Sequence, residues 1–420
     1  MKIKVTEKSY EEVMAMPAPT RRKPKKPSRL FRILLKVLSQ GDLKKTNFTL
    51  TTEGMEKLME EEPCLFLMNH SSFIDLEIAA AILYPRPFQI VCTSDGFVGK
   101  EGLMRAIGCI PTKKFITDTG LVKDMVYSLH TLKSSVLMYP EASYSFDGTA
   151  TPLPESLGKL LKLLKVPVVM IRTFGAFARD PLYNNLQIRK VDVSAKMTYL
   201  LSPEEIAAKK PEELNRILGE AFSFDNFRWQ QENRVKITEL FRADYLHRVL
   251  YKCPRCRAED GMEGKGIHIT CRKCDASYEL TEEGLLAAQN GEVEYPHIPD
   301  WYRWERDCVR KELEEGSYRL DTEVEICILR DSKSIYRVGE GRLTHTPEGF
   351  HLTGCGGKLD YSQKPAASYS LYADYYWYEL GDVICIGNHE ALYYCFPKER
   401  GVSVAKARLA AEELYKMRHA

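Results

Sequence analysis

An apolar run that stops on Asn69-His70, with a carboxylate five residues on at Asp75, is the stretch of this chain best suited to moving a proton. A carboxylate on one ring nitrogen of a histidine fixes the tautomer and leaves the other nitrogen as a general base near neutral pH. The second arrangement with chemistry in it is Cys253-Pro-Arg-Cys256 followed by Cys271-Arg-Lys-Cys274. Two such knuckles, fourteen residues apart, bring four thiolates within tetrahedral reach of one zinc ion. Four thiolates leave no open position, so the site is expected to be structural.

Each arrangement needs elements to hold it. Cys64 to Met68 reads as a short buried strand, entered from Pro63 and ended by polar residues. Ser71 or Ser72 is then the expected N-cap of a helix through Leu76, Ile78, Ala79 and Leu83. Residues five apart in a regular helix point roughly 140° apart. His70 and Asp75 therefore meet only if His70 lies outside the helix, at the strand-to-helix corner. Further on, Phe88 to Thr93, Val136 to Tyr139, Val166 to Ile171 and Lys196 to Leu201 read as strands. They alternate with helical patterns at Leu121 to Lys133 and Glu155 to Lys165. This is the pattern of an α/β domain with a largely parallel central sheet, whose ligands sit beyond the carboxyl ends of the strands.

Downstream of His70 come Gly99-Lys100-Glu101-Gly102-Leu103, Ile107-Gly108-Cys109-Ile110-Pro111, Tyr139-Pro140-Glu141-Ala142-Ser143 and Val166-Pro167-Val168-Val169. In that order, the stretch from Pro63 to Leu201 resembles the glycerolipid acyltransferase family of the lysophosphatidic acid type. The family's blocks are N-H-x4-D, a glycine-rich acceptor-binding block, F-P-E-G-T-R and V-P-[VI]-[VI]-P. The first block is complete. The third keeps only Pro140 and Glu141, with Ala142, Ser143 and Tyr144 in place of Gly, Thr and Arg, and Met170 replaces the last proline of the fourth.

The resemblance implies O-acyl transfer from an acyl thioester, acyl-CoA or acyl carrier protein, to the hydroxyl of a lysophospholipid such as 1-acylglycerol 3-phosphate. His70, oriented by Asp75, takes the hydroxyl proton, and Asn69, Glu141 and Lys100 fall in the substrate-binding blocks, Glu141 as an acceptor-site or structural carboxylate. The family's arginine is a phosphate ligand, a task for its planar fork of donors. With Tyr144 in that place, either the acceptor is not held by its phosphate in the usual way, or Lys113, Lys114 or Arg105 carries the charge. The competing reading is a non-catalytic lipid-binding or scaffold protein that keeps the fold.

At 420 residues the chain is too long for one core, and a net charge of +2 gives no global field toward nucleic acid. Around the paired cysteines, Glu259, Asp260, Asp275 and Glu279 offset Arg255, Arg257, Arg272 and Lys273, so no nucleic-acid partner is expected. No run of eighteen apolar residues occurs, and twelve cysteines fit a reducing compartment. The expectation is a cytoplasmic protein, peripherally associated with a membrane surface.

Residues 1–28 are basic and proline-rich and are expected to be extended or disordered. Residues 29–62 begin with an amphipathic helix whose Arg29, Arg32 and Lys36 suit anionic lipid. The acyltransferase domain is placed at 63–202, a helical connector at 203–250, a zinc ribbon at 251–280 and a helical linker at 281–318. From 319 to 420, short strands, among them Ser334 to Val338 and Gly341 to Thr346, precede a helix over Val402 to Met417. That order resembles a pleckstrin-homology-like barrel capped by its helix, an accessory binding module.

Overall fold

The computed structural model describes residues 2–17, 19–116, 118–399 and 401–419. The chain divides into two compact units: Arg21–Asp180 with Ile188–Trp229, and Met1–Thr20 with Pro181–Gln187 and Gln230–Ala420.

The first unit is built on a seven-stranded sheet. Its order is Thr49–Glu53, Ser194–Leu201, Val168–Phe174, Leu65–Met68, Ser135–Met138, Phe88–Thr93 and Cys109–Thr112. Only the pairing of Val168–Phe174 with Ser194–Leu201 is antiparallel, so the sheet is largely parallel. The Leu65–Met68 strand lies near its centre and is buried on both faces. Leu65 and Leu67 pack into one apolar layer and Cys64, Phe66 and Met68 into the other, which is why this stretch is a continuous apolar run rather than an alternating one.

Helices cover both layers, and two of them cross closely. A Cβ on Gly158 would stand 2.2 Å from the Pro211 carbonyl oxygen, and its N–H donates to Asn215 Oδ1 at 2.7 Å. Gly158→Ala is therefore expected to cost about 1–3 kcal/mol, read as a lower urea midpoint at unchanged m.

The N-terminal residues do not stay free. Val5–Glu7 pairs in parallel with Ile335–Arg337, and Tyr10–Met14 is a helix with a Ser9/Glu12 capping box, both in the second unit. Residues 21–28 remain extended but lie along the first unit. Arg21 pairs with Asp124 at 2.8 Å and Asp118 at 3.2 Å, Arg22 faces Glu101, and Pro24 and Pro27 are buried. Composition left extended or disordered chain open; complementary carboxylates far along the chain hold residues 21–28 in the extended form.

The second unit carries a predominantly antiparallel sheet in the order Leu359–Gln363, Gly349–Gly354, Ile335–Thr346, Leu320–Leu329, Leu392–Pro397, Gly381–Gly387 and Tyr372–Trp377, followed by the Val404–His419 helix. The two strands expected over 334–346 are one: the positive φ of Gly339 (+132°) and a register shift at Ile326/Cys327 absorb what read as a turn. A second sheet of four short antiparallel strands, Met262–Lys265, His268–Cys271, Ser277–Leu280 and Leu286–Ala288, surrounds the paired cysteines and extends beyond residue 280. The expected helical connector is helical only as far as Glu232; from there to Lys252 the chain is irregular apart from the Leu246–Arg248 turn. The linker after it contains the Leu286–Ala288 strand before the Ile298–Glu314 helix.

Candidate functional site

His70 follows the carboxyl end of the Leu65–Met68 strand, and Asp75 lies in the first turn of the Ile74–Ile82 helix. The corner between them brings His70 Nδ1 to 3.1 Å from Asp75 Oδ2. The same oxygen accepts the backbone N–H groups of Ser71 at 2.8 Å and Ser72 at 3.0 Å. Phe73, not either serine, stands at the N-cap position and makes no side-chain cap bond, while Ser72 Oγ accepts the Ile74 N–H at 3.3 Å and the carboxylate folds back onto the corner. Asp75 is 1% exposed, the His70 side chain 18%, and the Nε2 of His70 makes no hydrogen bond among the described residues. Burial pushes the His70 pKa below the ordinary histidine value, Asp75 pulls it back, and the positive charge of Lys114 lowers it further.

The corner is pinned from three sides. Glu141 Oε2 accepts the His70 backbone N–H at 2.9 Å, while Oε1 accepts Thr151 N–H at 2.8 Å. Asn69 Oδ1 accepts the Thr173 N–H at 2.8 Å, and its amide donates to Ser71 Oγ at 2.9 Å. Ser72 Oγ donates to Asp180, whose carboxyl burial pushes up to about 6 against the pull of Ser72 and Arg179. Asn69 and Glu141, read from the sequence as substrate-binding residues, thus have their side chains engaged in holding the loop that carries His70.

Two aromatic rings bracket the imidazole. The Tyr144 ring lies 3.9 Å from it at 29°, and the Tyr139 ring 4.3 Å away at 30°. Ala142, between them in sequence, has φ +55°, the left-handed region where glycine costs nothing and alanine about 1–2 kcal/mol. Lys113 and Lys114 follow the Cys109–Thr112 strand at the same sheet edge, and both are half-buried. Lys100 is the N-cap residue of the Glu101–Ala106 helix and makes no side-chain cap. Thr151, Thr173, Asp180 and the tyrosine bracket escape sequence reasoning, because each reaches the corner from a distant segment and carries no local signal.

The four cysteine sulfurs lie within 4.8 Å of one another, with Cys253–Cys274 at 3.7 Å and Cys256–Cys271 at 3.6 Å. Zinc–thiolate bonds of about 2.3 Å in a tetrahedron put sulfurs about 3.8 Å apart, so the residues fit this ion. The two knuckles are built alike. Cys253 N–H donates to Ala258 O and Arg257 N–H to Cys253 O; Cys271 N–H donates to Ala276 O and Asp275 N–H to Cys271 O. Arg257 and Asp275 both take positive φ, at +64° and +56°.

Among the described residues, no helix is long and apolar enough to cross a membrane. The Arg29–Lys45 helix nevertheless has two apolar stripes. Phe31, Leu35 and Leu43 pack on the core, whereas Leu30, Ile33, Leu34, Val37 and Leu38 are exposed in the i, i+3, i+4, i+7, i+8 pattern of one helix face. Of the basic residues, Arg32 is turned to the Pro85 carbonyl and Lys36 lies over the Tyr84 ring.

Residues 49–173 match the family model described as Acyltransferase. None of the curated proteins compared matches the chain. Among matching solved structures is the crystal structure of the 1-acyl-sn-glycerophosphate acyltransferase from Thermotoga maritima, 13% identical, covering 46% of this chain and 76% of that one at a TM-score of 0.38.

Proposed function

We propose, from the match of residues 49–173 to the Acyltransferase family model, an O-acyltransferase that moves a fatty acyl group from acyl-CoA or acyl carrier protein to a lysophospholipid hydroxyl. One observation carries the reading: His70 is held on Nδ1 by a buried carboxylate and keeps Nε2 for another partner. Nε2 takes the acceptor's hydroxyl proton as that oxygen attacks the thioester carbonyl. The carbon–sulfur bond breaks, and the departing thiolate recovers the proton from the imidazolium. Lys113 and Lys114 supply positive charge at the same sheet edge for a phosphate, the task the family gives to an arginine. Asn69 and Glu141 act as positioning residues.

Four thiolates with tetrahedral spacing support one structural zinc, held by Cys253, Cys256, Cys271 and Cys274 in a ribbon. The strand meander with its closing helix supports a pleckstrin-homology-like barrel as an accessory binding module. The exposed stripe of the Arg29–Lys45 helix supports peripheral contact with a lipid surface, made by apolar insertion more than by the basic residues. Leu34→Glu with Val37→Glu is expected to weaken liposome cosedimentation at least tenfold per residue, since burying each side chain is worth about 1.5–3 kcal/mol. Both side chains are exposed, so the melting temperature should hold.

Tyr144, stacked on His70 in place of the family's arginine, favours a second reading as a non-catalytic lipid-binding protein. Transfer of labelled acyl groups from acyl-CoA and acyl carrier protein to a lysolipid panel separates the two. Transfer to one acceptor supports the enzyme; retention of lipid binding without transfer to any supports the scaffold.

A further inference from the structure

A cavity of about 530 Å³ opens in the first unit at the sheet edge opposite His70. Pro63, Pro87 and Ser135, which line it, lie at the amino ends of three parallel strands, whereas His70 follows the carboxyl end of one of them. Its volume falls in the range of small-molecule sites, and the acyl-transfer reading has no use for it.

The lining has two parts. Met55, Leu58, Phe66, Ile82 and Met197 form an apolar wall. Lys26, Arg32, Arg86 and Lys133 supply four positive charges against Glu60 and Glu61. Both glutamates are exposed, as are Lys26 and Lys133, so these four stand at the rim. Arg32 and Arg86 are half-buried, and their guanidinium groups bond to backbone only, Arg32 to the Pro85 carbonyl and Arg86 to those of Met59 and Glu62. Arg32 Nε is buried with no hydrogen-bond partner, and neither arginine meets a carboxylate within 4.0 Å among the described residues. Half-buried guanidinium groups without an anion, one of them with a buried N–H left unpartnered, are a deficit that a ligand can fill.

We propose that this cavity binds an anionic amphiphile, its carboxylate or phosphate on Arg32 and Arg86 and its chain along Met55, Leu58, Phe66 and Met197. The inner arginines select the charge and the apolar wall selects the chain. A cation is disfavoured there, because the glutamates that would hold it stand at the rim.

The test is calorimetric titration of the full chain with dodecanoate, dodecyl phosphate, dodecyltrimethylammonium and dodecyl maltoside below their micellar concentrations. Saturable 1:1 binding is expected for one or both anionic probes, and which of them binds names the headgroup. The cationic and neutral probes report nonspecific uptake by exposed apolar surface. Arg32→Met should weaken anion binding at least tenfold, and Leu58→Trp, which fills the wall without touching charge, should do the same. His70→Ala should bind as the wild type, which keeps the result independent of acyl transfer. Equal binding of all four probes, or anion binding unchanged in a folded Arg32→Met protein and in Leu58→Trp, overturns the site. Anion binding lost in His70→Ala assigns the probe to the carboxyl edge and overturns it as well.

Discussion

Replacing His70 with alanine is expected to lower kcat for acyl transfer by about 10²–10⁴, the contribution of a positioned general base, while the fold survives. Among the described residues the imidazole's one hydrogen bond is to Asp75, and that carboxylate keeps the Ser71 and Ser72 N–H groups when the ring is gone. Asp75→Asn should behave differently. It keeps an oxygen for the backbone donors but loses the charge that fixes the histidine tautomer, so kcat falls and the loop loosens. The pH profile gives an independent check. The base works when neutral, and burial sets its pKa below the ordinary value of about 6.5. Activity is therefore full at neutral pH and falls as pH drops through that lowered value, placing the acidic limb of kcat/KM below about pH 6.5. Steady-state rates with labelled acyl thioester across pH, with circular dichroism melts of each variant, decide the matter. A folded His70→Ala protein with wild-type kcat would remove His70 from the chemistry.

What made this pair legible is that its geometry is local: a strand end, a corner and one helical turn, all within twelve residues. The partners of Glu141, the His70 and Thr151 backbone N–H groups, were not legible, because they are fixed only when separate segments meet. The seating of residues 21–28 was hidden for the same reason. Their basic, proline-rich composition allows extended or disordered chain, and only the distant Asp118, Asp124 and Glu101 decide for the extended form. Periodicity found the Arg29–Lys45 helix but could not say which of its two apolar stripes the core would cover. In the C-terminal sheet, Gly339 and Glu340 read as a turn between two strands, and the pairing of Ile335–Thr346 with Leu320–Leu329 made the two strands one.

The largest effect on stability is expected at the cysteines. One zinc per chain should be measured by elemental analysis, and Cys271→Ser should abolish it. Apparent binding free energies of about 10–16 kcal/mol for four-ligand zinc in small domains exceed the total stability of most domains. The strands around the cysteines are only three or four residues long, so their apolar burial is small. Loss of the ion should thus unfold residues 253–288, exposing them to protease and removing a thermal transition. Thiolate ligands bind protons in competition with zinc, so stability conferred by the ion is present at neutral pH and is lost as pH falls. Cobalt substitution gives a second readout, since tetrahedral thiolate ligation has a visible absorption that Cys271→Ser should lose. Zinc-free protein with an unchanged melting profile would show instead that the two knuckles are held by the hydrogen bonds they share, Cys253 to Ala258 and Cys271 to Ala276, and that the sulfurs need no ion to stay within 4.8 Å.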